Sequence, residues 1–297
     1  MSVTIQPLYS LDDMYAAVEL QKVYWGDELE SVVPAHMLFS LANNGGHVLV
    51  ARDGDRLVGL LVGFLGTDMR EADRPAMANL RIASKRMVVL PEYRNQGLAY
   101  RLKLAQRDLA MQQGVRLIVW TFDPLLAANA HLNIRKLGAV VEEFIENYYG
   151  TSAHAGGITS LGTSDRLVVD WWVTHRRVEE RISGRRRGLR LAQYLDAGTG
   201  IINPSKPGAD DFARPASSLE IPKSAMVLLE IPVNYQAVME ADETLARAWR
   251  MHTRELFHLL IGRGYVVTDF VRDVYEGRDR VFYLLSPGSR GFDFHPN

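Results

Sequence analysis

The chain reads as an α/β (α+β) fold, and three patterns predict it. Apolar runs of strand length alternate with segments whose apolar residues recur every three or four positions, as they do on one face of a helix. Between residues 80 and 145 the order is strand, helix, strand, helix, strand, with Gly114 and Gly138 closing the two helices. The composition is that of an ordinary globular protein: 297 residues, 47% hydrophobic, with 34 basic and 35 acidic side chains for a net charge of −1. So neutral a chain is no electrostatic clamp for a polyanion such as DNA. It has no cysteine, which removes disulfides, thiolate nucleophiles and zinc ribbons and fits a reducing compartment.

Residues 3–8 are short and mixed, and suit a strand. Leu11, Met14, Tyr15, Val18 and Tyr24 follow at helical spacing behind Ser10, a good helix cap. Pro34 opens a second helix through Leu38 and Leu41, which Asn43-Asn44-Gly45-Gly46 stops. Residues 47–52 and 56–65 flank the Asp53-Gly54-Asp55 turn as an antiparallel hairpin. The most apolar window, 57–66, is half the roughly 20 residues that span a bilayer as a helix, so it is a buried strand and no membrane association is expected. Residues 80–90 make a longer strand. Leu98, Leu102, Ala105 and Leu109 line a helix that begins behind Gly97. Residues 115–120 read as a strand buried on both faces, 127–137 as a helix, and 140–145 and 167–173 as two more strands. The N-terminus, MSVTIQPLYSLDD, lacks the basic start and apolar stretch of a secretory signal, so the expected location is cytoplasmic.

Charge density rises over 175–190, and Gly, Pro, Ser and Asp accumulate over 197–218. These shifts place domain boundaries at 1–175, 176–222 and 223–297. In the last stretch, 225–231, 235–260, 264–271 and 280–285 read as strand, long amphipathic helix, strand and strand. The same order over 115–173 suggests a truncated internal duplication. Arg185, Arg186, Arg187 and Arg190 stand beside Glu179 and Glu180 and read as a solvated charged helix rather than a nucleic-acid site. Trp171 and Trp172 are adjacent on a strand, so they face opposite sides and one is core. The eight histidines show no metal-ligand spacing, and no metal is expected.

One constellation carries chemistry. Arg94-Asn95-Gln96-Gly97-Leu98-Ala99 lies between a strand and a helix, where consecutive backbone N–H groups converge on the positive end of the helix dipole. Gly97 admits close approach, Ala99 keeps the first turn small and Arg94 adds charge, a pattern suited to phosphate. No Gly-Lys-Ser/Thr follows and no G-x-G-x-x-G is present, so the loop is neither a Walker loop nor a dinucleotide fingerprint.

In its setting PEYRNQGLAYRLK resembles the acyl-CoA pyrophosphate loop (Q/R-x-x-G-x-G/A) of the GNAT acyltransferase superfamily, and the element order from residue 3 to 173 resembles that fold. WTFDP (120–124), NIRKLGA (133–139), NYYG (147–150) and SDR (164–166) look like one branch of it. The resemblance implies a mixed central sheet flanked by helices, with a C-terminal strand-helix-strand-strand unit like a truncated GNAT half. It implies an N-acyltransferase taking acetyl-CoA or another short acyl-CoA, and direct attack by a small-molecule amine on the thioester. Backbone groups of Met87, Val88 and Val89 would pair with the pantetheine amides, and Asn129 and Asn133 would hydrogen-bond the same arm.

A lysine-type amine costs roughly 4.6 kcal/mol to deprotonate at pH 7, an α-amine only about 1–1.4 kcal/mol. The strand over 80–90 carries Arg81, Lys85 and Arg86 and no glutamate, which points to an α-amine or to a base elsewhere. Glu28 and Glu30 could serve from their loop, though a solvated loop is the plainer reading. The tyrosine that many members use to protonate the leaving thiolate corresponds here to Ile134. His131, one turn earlier, and Tyr149, with Tyr148 beside it, are the substitutes. The lost tyrosine and absent glutamate keep a second reading open, a GNAT-like sensor or assembly module that binds acyl-CoA without turnover.

Overall fold

In the computed structural model the described residues are 3–26, 32–68, 75–151, 161–186, 188–208, 210–217 and 225–288. Glu28, Glu30 and Arg187 lie outside them. The chain packs as two compact units. One is the chain to Trp120 together with Trp172–Thr174; the other holds Thr121–Thr151, residues 161–171 and the chain from His175.

In the first unit, β1 (Thr4–Pro7), β2 (His47–Asp53), β3 (Arg56–Thr67) and β4 (Leu80–Val89) pair antiparallel in chain order. β5 (Leu117–Phe122) adds parallel to β4. Helix α1 (Leu11–Trp25) starts where Ser10 accepts a hydrogen bond from Asp13 N–H, as its cap residue predicts. Helix α2 (Ala35–Asn43) begins after Pro34, and α3 (Leu98–Gln112) begins after Gly97. Met14, Leu20, Leu38, Val50, Leu60 and Leu102 meet in one core between these helices and the sheet. Buried Gln21 ties the chain leaving α1 to the start of α2: its Oε1 accepts from Val33 N–H at 2.9 Å and its Nε2 donates to Val33 O at 3.1 Å. β4 carries a bulge, since Val62 pairs with Arg86 and Gly63 with Ser84, leaving Lys85 as the extra residue.

The second unit contains α4 (Ala127–Ala130), β6 (Val140–Ile145), β7 (Arg166–Trp172), α5 (Arg176–Ile182), α6 (Leu191–Asp196) and β8 (Gly200–Ile201). A two-stranded ribbon follows, β9 (Lys206–Pro207) with β10 (Ala213–Arg214), then β11 (Val227–Ile231), α7 (Tyr235–Ala241), α8 (Glu243–Gly262), β12 (Tyr265–Tyr275) and β13 (Arg278–Pro287). Hairpin β6–β7 and hairpin β12–β13 meet edge to edge through β6 and β12, and β11 flanks β13. The two halves correspond in detail. Gly138-Ala139-Val140-Val141 matches Gly264-Tyr265-Val266-Val267, Phe144 matches Phe270, and both strands bulge just past the second valine. Val141 and Val267, equivalent by this alignment, are direct cross-strand partners. An internal repeat would leave its two copies related in this way.

Three expectations change. The helix expected over 127–137 is α-helical only to Ala130 and continues as a π turn over His131–Lys136, with Leu137 N–H reaching Leu132 O five residues back. The helix expected over 235–260 breaks at Asp242, whose Oδ1 accepts from Leu245 N–H and so caps a new helix instead of continuing the old one. Arg185, Arg186 and Arg190 follow α5 and are not helical; Arg186 reaches Glu180 and Arg190 reaches Asp273. Trp171 is fully buried, donating its indole N–H to Leu137 O, and Trp172 is half-buried, as alternation requires. No helix among the described residues is long and apolar enough to cross a membrane.

Candidate functional site

The loop between β4 and α3 has the geometry of an anion cradle. After a single 3₁₀ turn at Pro91–Tyr93, Asn95 (φ 61°) and Gly97 (φ 78°) adopt left-handed conformations and turn the chain into α3. A nest of this kind points successive amides one way. The N–H groups of Asn95 through Tyr100 have no acceptor among the described residues; the helix's own bonding begins with Arg101 N–H to Gly97 O. A Cβ built on Gly97 would meet nothing within 4 Å, so the concavity lies open.

The frame around the cradle is pinned. Tyr93 OH donates to Asp53 Oδ2 at 2.7 Å, and that bond, with burial and the carboxylate's charge, holds the phenol above its usual range. Gln96 Nε2 donates to Glu92 O at 2.8 Å, and Arg56 pairs with Glu92. Arg94 lies over the Tyr24 ring and gives its Nε–H to Val89 O at 3.1 Å, which leaves its two terminal amino groups for an anion.

Beside the cradle, β4 parts from β5. β4 and β5 share three rungs, Arg81–Leu117, Ile82–Ile118 and Ala83–Val119, while pairing of β4 with β3 continues through Val89. Beyond Ala83 the β5 side of β4 therefore opens. Leu90 N–H bonds Val58 O on the β3 side, so by alternation Val88 also turns its own N–H and C=O to β3. Met87 and Val89 turn theirs to the other side, where Val89 O already accepts from Arg94 Nε. Of the three residues expected as a rail, the backbone groups of Met87 and Val89 thus face the gap, and those of Val88 do not.

The other expected site residues belong to the second unit. His131 opens the π turn, half-buried, and its ring makes no hydrogen bond to a described residue. Burial, followed by the charges of Lys136, Arg135 and Arg272, lowers its pKa from the usual histidine value. That favours the neutral ring, suited to accept a proton rather than give one. Ile134 is wholly buried and serves the core, and Asn133 is buried too, whereas Asn129 is exposed. Tyr149 sits in the turn after β6; its N–H bonds Ser164 Oγ at 2.9 Å and its ring packs under the Arg166 guanidinium.

The short motifs WTFDP, NIRKLGA, NYYG and SDR are largely braces. Asp123 of WTFDP holds Arg250 of α8. Asp165 of SDR accepts from Asn147 N–H of NYYG and from Arg254 Nε and Nη2. Arg135 of NIRKLGA pairs with Asp269 of β12 at 2.7 Å. Among the described residues no cluster of three or more metal-ligating side chains occurs.

Residues 11–138 match the model of the Acetyltransferase (GNAT) family. The match covers most of the first unit and the start of the second, and is a likeness of that stretch to a GNAT acetyltransferase domain. No curated protein matches the chain. Among solved structures it is similar to the ribosomal-protein-S18-alanine N-acetyltransferase of Escherichia coli, at 17% identity over 59% of this chain and 96% of that one, with a TM-score of 0.45. It is similar to Arabidopsis thaliana Naa50 in complex with a bisubstrate analogue, at 17% identity, 57% and 98% coverage and a TM-score of 0.43. A third is yncA of Salmonella typhimurium with its cofactor acetyl-CoA, at 17% identity, 59% and 96% coverage and a TM-score of 0.44.

Proposed function

We propose that this protein transfers a short acyl group from acyl-CoA to a small-molecule amine. One observation carries the reading: an open, amide-lined helix N-terminus stands at the end of β4, a strand that pairs with β3 through Val89 while its rungs with β5 end at Ala83. The donor chemistry fits the cofactor. Amides of 95–100 with Arg94 match a diphosphate, and the N–H and C=O of Met87 with the N–H of Val89 suit the two amides of pantetheine. The bound thioester supplies the activated acyl group. The protein's residues hold it and leave its carbonyl beside a fixed strand N–H.

His131, kept neutral by its surroundings, is the proposed acceptor of the amine proton, and Tyr149 the proposed donor to the leaving thiolate. An acceptor of α-amine type suits a central strand without glutamate. Calorimetry with CoA and acetyl-CoA, followed by a thiol-release assay over a panel of small amines, tests the reading. Tight binding with thiol release that depends on an added amine is the expected result. Binding without release from any amine supports the sensor reading, which the burial of Ile134 at the usual tyrosine position favours.

A further inference from the structure

Immediately beyond the last β4–β5 rung stand Ser84 on one strand and Trp120 on the other. Lys103 of α3 places its Nζ between them. It lies 2.9 Å from Ser84 Oγ, 3.7 Å from the centroid of the Trp120 ring and 3.2 Å from Gln106 Oε1. Lys103 is 2% exposed and Gln106 is fully buried, and no described carboxylate pairs with the lysine. The cluster has more donors than acceptors. Lys103 brings three N–H groups and Gln106 two, against Ser84 Oγ and Gln106 Oε1, and the buried Gln106 Nε2 has no acceptor among the described residues. Burial pushes the lysine well below its usual range. A group of this kind is costly to the fold unless an anion completes it.

The position of the cluster names the anion. β4 runs from Ala83 toward the cradle at 94–99, so a cofactor with its diphosphate in the cradle and its pantetheine along Val89 and Met87 points its acyl end back at Ser84. From Val89 to Ser84 is roughly 16 Å of strand. Resting on the acyl-CoA reading above, we propose that Lys103, Ser84 and Trp120 close the acyl pocket and select acyl groups that end in a carboxylate, the half-thioesters of short dicarboxylic acids. The carboxylate accepts from Lys103 Nζ and Ser84 Oγ–H, and the indole face covers the methylenes.

Calorimetry with free CoA, acetyl-CoA and succinyl-CoA tests this on the whole protein and on Lys103→Met, which keeps the length and removes the charge. The expected result is at least about tenfold tighter binding of succinyl-CoA than of acetyl-CoA, the preference lost in Lys103→Met, and free CoA binding unchanged in the variant. Ser84→Ala, a milder change, reduces the preference in part and serves if Lys103→Met does not fold. Equal affinities of the two thioesters in the wild-type protein overturn the proposal while leaving the CoA site intact. A preference unaltered in both variants also overturns it. Failure of CoA and both thioesters to bind overturns the cofactor reading, and this proposal with it.

Discussion

Arg250 grips Asp123 at two points inside the second unit, Nη1 to Oδ1 at 2.8 Å and Nη2 to Oδ2 at 2.6 Å, with the arginine side chain 2% exposed. Asp123 Oδ1 also accepts from Leu125 N–H at 2.9 Å, so the pair orders the chain that leaves β5 and binds it to α8. Removing one partner strands a buried charge. Arg250→Leu should cost about 3–5 kcal/mol of stability, read by chemical denaturation. The double variant Asp123→Leu/Arg250→Leu should recover part of that loss, because no unpaired charge remains. Full additivity of the two single changes would show that the charges do not act as a pair.

The cradle should respond to bulk at Gly97. The residue holds φ 78° with open space around it, so Gly97→Val strains the backbone by about 1–2 kcal/mol and fills the concavity. CoA affinity should drop at least about 100-fold while the protein remains folded by circular dichroism. Gly97→Asn, a residue type that tolerates the left-handed region, should remain nearer to the wild-type melting temperature. Wild-type CoA affinity in Gly97→Val would place the cofactor elsewhere.

Proton transfer separates the two candidate side chains. Tyr149→Phe removes the hydroxyl but keeps the ring under Arg166, and should lower the rate of amine-dependent thiol release about 100-fold with CoA binding unchanged. His131→Gln should remove the acidic limb of the rate profile that lies below pH 6.5, where that ring protonates, and leave the limb nearer pH 8 that an α-amine substrate contributes itself. An unaltered acidic limb in His131→Gln would assign the base to another residue.

Stability should decline below neutral pH. His47 is buried, and desolvation, only partly offset by its bond to Gln113 at 2.9 Å, lowers its pKa below 6.5. The unfolded chain then takes up a proton near pH 6.5 before the folded chain does. The neutral ring's contribution is whole above that value and is lost as pH falls toward the folded pKa. His131, His175 and His252 shift in the same direction. Denaturation free energies measured from pH 8 to 5.5 should fall, less steeply in His47→Gln. A flat profile would contradict the shift.

Local chemistry made much of this protein legible in advance. Ser10, Pro34 and Gly97 start their helices where their types demand, and strand alternation puts one of the adjacent Trp171 and Trp172 in the core, which the structure shows to be Trp171. The cradle is legible because a left-handed glycine and a following helix are properties of a few adjacent residues. Lys103 is not legible in this way. On a helix a lysine ordinarily reads as solvated, and only the packing of α3 over the gap beside Ser84 and Trp120 buries it.

The branch motifs show the same division. Asp123, Asn147, Asp165 and Arg135 stand out in the sequence beside catalytic candidates, yet their partners Arg250, Arg254 and Asp269 come from 89 or more residues further along the chain, and Asn147 meets Asp165 as well as Arg254. By itself the sequence determined the class of fold, most of the order of its elements and the glycine turn that opens α3, because these follow from side-chain periodicity and from backbone preferences over a few residues. The tertiary structure alone decided which polar residues are braces and which stay open to a ligand. That choice depends on burial and on partners distant in the chain, and no local pattern encodes either.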